Sequence, residues 1–229
     1  MTYLIVIPAY NSAKLLVELL PRVRRAAPDI GILVIDDGST DSTRSVVESS
    51  GASVLSLPEN RGKGEALRTG FAEGLRRGAD AVVQMDADGQ HAPEYLPRFF
   101  AAFERGEGDV IMGTRDFRVG NMPLLRRLSN VWTSWAISRM AGVRIADSQS
   151  GYRLLSRRAL EMIKPQSGRF AYESEYLILA GRAGLKIGSV PISTVYHGEG
   201  SFIRIGRDAP RFLQLVWRHG LHGPRRTRR

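Results

Sequence analysis

Five short apolar runs, Leu4 to Pro8, Ile30 to Ile35, Ser53 to Leu57, Ala81 to Met85 and Asp109 to Met112, alternate with segments of helical spacing through the first half of the chain. The runs are rich in Val, Ile and Leu and lack polar alternation, the pattern of strands covered on both faces. Between them, helices are predicted over Ser12 to Ala27, Asp41 to Ser49, Gly64 to Arg77 and Pro93 to Phe103. Leu15, Leu16, Leu19, Leu20 and Val23 form the apolar stripe of the first; Asp41 is placed to cap the second, and Pro93 suits a first helical position. This rhythm predicts an α/β fold: a single Rossmann-like, mostly parallel sheet flanked by helices. After Gly113 it changes, to helices over Leu124 to Met140, Arg157 to Ile163 and Ser174 to Ala183, a polar turn at ADSQSGYR, and a strand over Lys186 to Pro191. No repeat or linker divides the 229 residues, which read as one domain, 1–206, with an appendage, 207–229.

Composition removes several classes of function. Without cysteine there is no disulfide, thiolate metal site or cysteine nucleophile. No apolar run approaches the roughly 20 residues that span a bilayer. The opening MTYLIVIPAYN lacks a basic leader and breaks at Pro8, so it reads as a strand rather than a signal peptide, and a cytoplasmic location is expected. The net charge is +10, and Arg204 to Arg229 holds eight arginines against one aspartate. Such a surface attracts nucleic acid, anionic lipid or phosphorylated substrates, and charge alone does not choose among them.

Ligands of open parallel sheets sit beyond the carboxyl ends of the strands. The polar motifs fall there: PAYN, DDGSTD, NRGKG, DADGQH and GTRD follow the five strands in order. GKGEALRTG lacks the GxGxxG spacing, and Lys63 lacks the glycine lead and the following Ser or Thr of a phosphate loop. In DADGQH, residues two apart on extended backbone point the same way, so Asp86 and Asp88 share a side. Two hard oxygen ligands suit Mg²⁺ or Mn²⁺, and Gln90 adds an amide oxygen. The plainer reading is a solvated turn with Asp88 or His91 capping the next helix; the company of the other rim motifs favours the metal. The acidity of this rim, with the positive charge confined to the terminus, argues against nucleic acid as partner.

Taken together, VIPAYN, VIDDGSTDST, NRGKGEALRTGF, MDADGQH, GTRDF and DSQSGYR resemble a family 2 glycosyltransferase of the GT-A fold, and within it the polyprenyl-phosphate sugar transferases such as dolichyl-phosphate mannose and glucose synthases. The resemblance runs from about Thr2 to about Arg211. It implies a UDP- or GDP-linked sugar donor, a divalent metal, inversion at the anomeric carbon and a polyprenyl phosphate acceptor. Carried over motif by motif, Pro8, Tyr10 and Asp37 would hold base and ribose, while Asp36 orients the loop. Asp86, Asp88 and Gln90 would bind the metal and through it the diphosphate. Arg115, Arg126 and Asn130 correspond to positions that hold the acceptor phosphate, with Asp88, Arg115 and Arg126 nearest the chemistry. Asp147 and Gln149 would line the sugar and acceptor site.

Alternatives stand beside several of these roles. Lys63 reads equally as a phosphate contact or a solvated loop lysine, Arg126 and Arg127 as a solvated helix face, and Asp147 and Arg153 as a pair across a turn. Glu173 and Glu175 are read as structural, and no catalytic role is given to His197, where mannose synthases carry arginine nearby. A hydroxyl acceptor is the competing reading; it needs a general base, for which Asp147 is the candidate. In the tail, Ala209, Phe212, Leu213, Val216 and Trp217 form a stripe, with Arg211, Gln214 and Arg218 away from it. Such a helix either lies peripherally on an anionic membrane surface, with the basic C-terminus, or packs on the domain core.

Overall fold

The computed structural model describes residues 1–115, 124–168, 171–193 and 205–220, with the side chains of 124–128 and 205–211 excepted. Strands β1 (Tyr3–Ala9), β2 (Gly31–Asp36), β3 (Ser53–Ser56), β4 (Ala81–Gln84), β5 (Val110–Arg115), β6 (Arg153–Ser156) and β7 (Ile187–Ile192) form one sheet in the order β3-β2-β1-β4-β6-β5-β7. All neighbours are parallel except β6, which runs antiparallel to β4 and β5. The helices are α1 (Ala13–Ala26), α2 (Thr43–Ser49), α3 (Lys63–Arg76), α4 (Leu96–Glu104), α5 (Leu124–Ala141), α6 (Arg157–Met162), α7 (Ala171–Arg182) and α8 (Ile205–His219). A 3-10 turn over Pro93–Tyr95 leads into α4, so the proline opens a tighter turn than the sequence reading gave it.

Strand residues alternate between two cores, as the period of two demands. Leu4, Val6, Leu33, Ile35 and Val82 pack with α3, α5, α6 and α7. Ile5, Ile7, Ile32, Val34 and Val83 pack with α1, α2 and α4. Burial on both faces is why these runs lack polar alternation.

The order reverses at β1, with β2 and β3 to one side and β4 to the other. In such sheets the crevice beyond the carboxyl ends at the reversal is the natural ligand site. Here it lies between the ends of β1 and β4, beside Pro8–Tyr10 and Asp86–Asp88.

Two expectations are corrected. The turn at ADSQSGYR leads directly into β6, a strand the sequence reading missed. Its first residue, Arg153, is 2% exposed and donates to the carbonyls of Ser148, Ser150 and Glu173 at 2.8–3.0 Å. A charged residue serving as a core side chain conceals the strand. Because β6 is antiparallel, with Arg153 opposite Gln84, the segment before it is delivered to the carboxyl rim of its parallel neighbours. Second, GTR of GTRD lies inside β5 rather than after it. Asp116 and the 194–200 segment with His197 lie outside the described residues.

The described part of the tail stripe divides between core and solvent. Phe212 and Val216 pack against the core with buried Leu215, whereas Leu213 and Trp217 are exposed. Among the described residues no helix is long and apolar enough to cross a membrane.

Helix α3 lies unusually close to the sheet through Gly70, where a Cβ would collide with Val6 and press on Ile35. Gly70→Val overpacks this contact, and chemical denaturation should show a loss of roughly 1–3 kcal/mol of stability.

Candidate active site

The rim of β1 and β2 is tied together by backbone. Asp37 donates its N–H to Ala9 O (2.8 Å), and Asn11 Oδ1 accepts from Thr40 N (2.8 Å). Asp36 accepts from Ser39 N and Ser56 Oγ, both at 3.0 Å, which holds the DDGST turn against β3. Asp37 is 3% exposed, and its carboxylate accepts from the N–H groups of Arg61 (2.8 Å) and Gly62 (2.7 Å). The first duty of Asp37 is therefore to fix the entry into α3. Pro8 is buried within β1, while Tyr10, just past its end, is 47% exposed.

Fixing that entry places Lys63, the first residue of α3. Its Nζ lies 2.7 Å from Asp86 Oδ1 and 2.8 Å from Glu173 Oε2, with the side chain only 18% exposed. Lys63 is thus neither a loop residue nor solvated. Glu173, read as structural, is the partner that was missed; it also accepts from Gln84 Nε2 at 2.5 Å. Gln84 and Asp86 are two apart and both reach the α3 and α7 side, while Ala87 is buried in the opposite core. Burial pushes the Asp86 carboxyl up, but Lys63, His91 and Arg153 more than offset it, so the group is held below the usual carboxylate range. The same carboxylates lift the Lys63 ammonium against the opposing effect of burial. Gly151 lies flat against Asp86, where a Cβ would overlap the carboxylate.

Among the described residues Asp88 forms no ion pair, and the charge of Lys63 only partly offsets what raises its pKa. Burial and then the charge of Asp86 push its pKa up to about 6, although Gln90 N donates to its Oδ1 at 2.9 Å. Among the described residues of the cluster, Lys63 and Arg153 face Asp86 and Glu173, and Asp88 adds a third carboxylate. That is the electrostatic setting in which a divalent cation is welcome, and two carboxylates with the Gln90 amide are the hard oxygen donors that Mg²⁺ and Mn²⁺ take. Among the described residues no three acidic or histidine side chains converge on one point. Neither Asp88 nor His91 caps a helix; the following 3-10 turn has Ala92 before it and no side-chain cap.

On the far side, Arg115 grips Asp147 through two bonds, Nε to Oδ2 (2.7 Å) and Nη2 to Oδ1 (2.8 Å). Asp147 is 1% exposed and also accepts from Gln149 N at 3.2 Å. The pairing of Asp147 with Arg153 across a turn is therefore corrected: Arg115 takes the carboxylate, and Arg153 bonds only to carbonyls. Gln149 is half-buried, its amide 3.4 Å from Ser148 Oγ. Asn130 is buried in α5; Arg126 and Arg127 fall within the same helix span, and their side chains are outside the described residues. His91, read from the sequence only as a possible helix cap, is 5% exposed and feels the charges of Asp86, Arg115, Lys63 and Asp147. Burial pushes its pKa down to about 4, and its Nδ1 has no hydrogen-bond partner. Its position directly after DADGQ was the available signal.

The raised pKa of Asp88 has a definite sign. Its folded value lies above the ordinary aspartate value, so its contribution to stability is greatest at low pH and is lost as pH rises through about 6. Above that pH the crowded carboxylates are both charged and a cation relieves them. Mn²⁺ should therefore raise the melting temperature more at pH 7.5 than at pH 5, and Asp88→Asn should abolish the difference, as read by calorimetry.

Comparison with known proteins adds the family. The model of Glycosyl transferase family 2 matches residues 4–163. An undecaprenyl-phosphate mannosyltransferase of Micrococcus luteus is 34% identical over 96% of this chain and 95% of its own length. A UDP-N-acetylglucosamine--dolichyl-phosphate N-acetylglucosaminyltransferase of Methanococcus voltae is 32% identical over 84% of this chain and 85% of its own. In structure, glucosyl-3-phosphoglycerate synthase from Mycobacterium tuberculosis, solved with Mn²⁺, UDP and glucosyl-3-phosphoglycerate, aligns with a TM-score of 0.76. That alignment covers 96% of this chain and 80% of that one at 23% identity, a likeness of fold. A rim of strand-end carboxylates on a GT-A sheet, and a family match across most of the chain, lead to one conclusion: this protein is a glycosyltransferase that belongs to glycosyl transferase family 2.

Proposed function

We propose that the protein transfers a sugar from a UDP- or GDP-linked donor to a polyprenyl phosphate, with inversion and with the help of Mg²⁺ or Mn²⁺. The observation that carries this reading is the excess negative charge at Asp88 beside an Asp86 already paired with Lys63. Pro8, Tyr10 and Asp37 line the crevice for base and ribose, Tyr10 by its exposed ring. Asp86, Asp88 and Gln90 would hold the cation, with Lys63 close enough to meet a diphosphate oxygen. When bound, the cation supplies neutralisation of the charge that gathers on the departing diphosphate. An acceptor phosphate oxygen attacks the anomeric carbon from the opposite face, the bond to the donor diphosphate breaks, and its electron pair leaves with that group.

The acceptor follows from proton chemistry. A hydroxyl would need a base, but Asp147 is committed to Arg115 in a bidentate pair and nearly fully buried. A phosphate monoester, with a second pKa of about 6, is already ionised near neutrality and needs cations rather than a base. Arg115, Arg126 and Asn130 would orient it, with Asp147 setting the Arg115 guanidinium and Gln149 touching the sugar; guanidinium is suited to phosphate by its planar fork. The names of the Micrococcus and Methanococcus relatives, which act on undecaprenyl and dolichyl phosphates, support a lipid phosphate and carry different sugars. Such an acceptor resides in a membrane, and residues 207–229, basic and partly amphipathic, would hold the catalytic domain 1–206 at its cytoplasmic surface as a peripheral protein.

Incubation with Mg²⁺ or Mn²⁺, a panel of radiolabelled UDP- and GDP-sugars and polyprenyl phosphate should yield label that extracts into chloroform. Unphosphorylated polyprenol should yield none. Asp88→Ala should lower the rate by at least about 100-fold, the scale of losing cation stabilisation of a leaving group. Near-wild-type turnover by that variant, or labelling of the free alcohol, overturns the reading.

A further inference from the structure

The chain carries four lysines, and three of them, Lys14, Lys164 and Lys186, lie exposed at the surface. Lys63 alone is drawn in, its side chain 18% exposed between Asp86 and Glu173. A long, strongly hydrated ammonium loses water and rotamer freedom in such a position, and only charges that need a counter-ion offset that loss.

The two carboxylates that hold it are not equivalent. Glu173 is fixed apart from the lysine: its Oε1 accepts from Gln84 Nε2 at 2.5 Å, and its backbone carbonyl accepts from Arg153 Nη1 at 3.0 Å. Lys63 meets the other oxygen, Oε2. For Asp86 the ammonium is the ion-pair partner among the described residues. Its carboxylate lies flat against Gly151, Oδ2 nearest, and Oδ1, the oxygen that faces Lys63, is closed to solvent. Burial and then Asp86 raise the pKa of Asp88, and Lys63 lowers it, so Asp88 stands within reach of both charges. A dication drawn to Asp86 and Asp88 therefore enters a place where a positive charge already sits, and like charges oppose one another strongly where water is largely excluded.

We propose that Lys63 is the built-in counter-ion of this site: its ammonium holds Asp86 until a divalent cation and the donor diphosphate bind together, then gives Asp86 up to the cation and turns to the diphosphate while staying beside Glu173. The inference rests on, and deepens, the reading of Asp86, Asp88 and Gln90 as the cation's ligands. It makes the two ligands assist each other. A cation alone has to dislodge Lys63 with nothing to receive the ammonium, whereas a diphosphate supplies anionic oxygens that do receive it, so each ligand favours binding of the other. Lys63 faces an anion before and after the exchange, the condition under which a largely buried charge is tolerated. Lysine suits the task better than arginine, being a compact point charge on a flexible stem rather than a planar fork.

The test reads cation binding directly, through the electron paramagnetic resonance signal of free Mn²⁺ titrated with the full chain. Mn²⁺ alone should bind at least about tenfold more tightly to Lys63→Met than to wild type, while Lys63→Arg, which keeps the charge, stays within about threefold of wild type. UDP or GDP should tighten Mn²⁺ binding by a larger factor in wild type than in Lys63→Met, because only wild type has an ammonium to hand over. In wild type carbon-labelled at the lysine Cε, the nuclear magnetic resonance signal that Lys63→Arg lacks should move further with Mg²⁺ and UDP or GDP together than with either alone. Equal or weaker Mn²⁺ binding by a folded Lys63→Met overturns the proposal, as does a Lys63 signal that stays in place with Mg²⁺ and nucleotide saturating. The second measurement is made on wild type, so it decides the matter even where Lys63→Met does not fold. Wild type that binds no Mn²⁺ with either nucleotide removes the cation reading itself, and the inference with it.

Discussion

The Lys63 ammonium, held between Asp86 and Glu173, is the contact on which the rim depends, because it joins three elements far apart in sequence. Lys63 begins α3, Asp86 follows β4 and Glu173 lies in the first turn of α7. Largely buried ion pairs are tolerated when every charge is met, and removing one partner is costly because the other is left bare. Here the balance is close: Arg153 and Lys63 answer Asp86 and Glu173, and Asp88 remains over. That surplus is the charge on which the proposed cation site rests.

That joint is held in place from behind. Asp37 locks the backbone of Arg61 and Gly62, which aims the start of α3, and Gly70 lets the body of that helix settle against β1. Gly151 leaves the space that Asp86 fills. Lys63 and Asp86 are therefore positioned by backbone contacts and by the absence of side chains behind them, as a preorganised electrostatic site requires.

The Arg115–Asp147 pair forms the other pole of the crevice. Asp147 holds the guanidinium plane by two bonds at the end of β5, so the arginine is oriented before any ligand arrives. His91, buried near both, is held neutral near pH 7 by its burial, and its Nδ1 has no hydrogen-bond partner.

Much of this was legible in the chain itself. Apolar runs buried on both faces announced the parallel strands, and the polar motifs at their ends announced the rim, because strand direction puts successive carboxyl ends on one edge. Asp86 and Asp88 could be paired by their spacing alone. The partners could not: that Lys63 meets Glu173, that Arg115 rather than Arg153 takes Asp147, and that β6 enters antiparallel between β4 and β5 are facts of sheet order and helix docking. Strand periodicity is local and survives in sequence, whereas ion pairs such as Arg115–Asp147, 32 positions apart, and Lys63–Glu173, 110 apart, exist only once the sheet is assembled. The same holds for the tail, whose helical stripe was plain, while its division between core and surface was decided by α5 and α7 packing against its two edges.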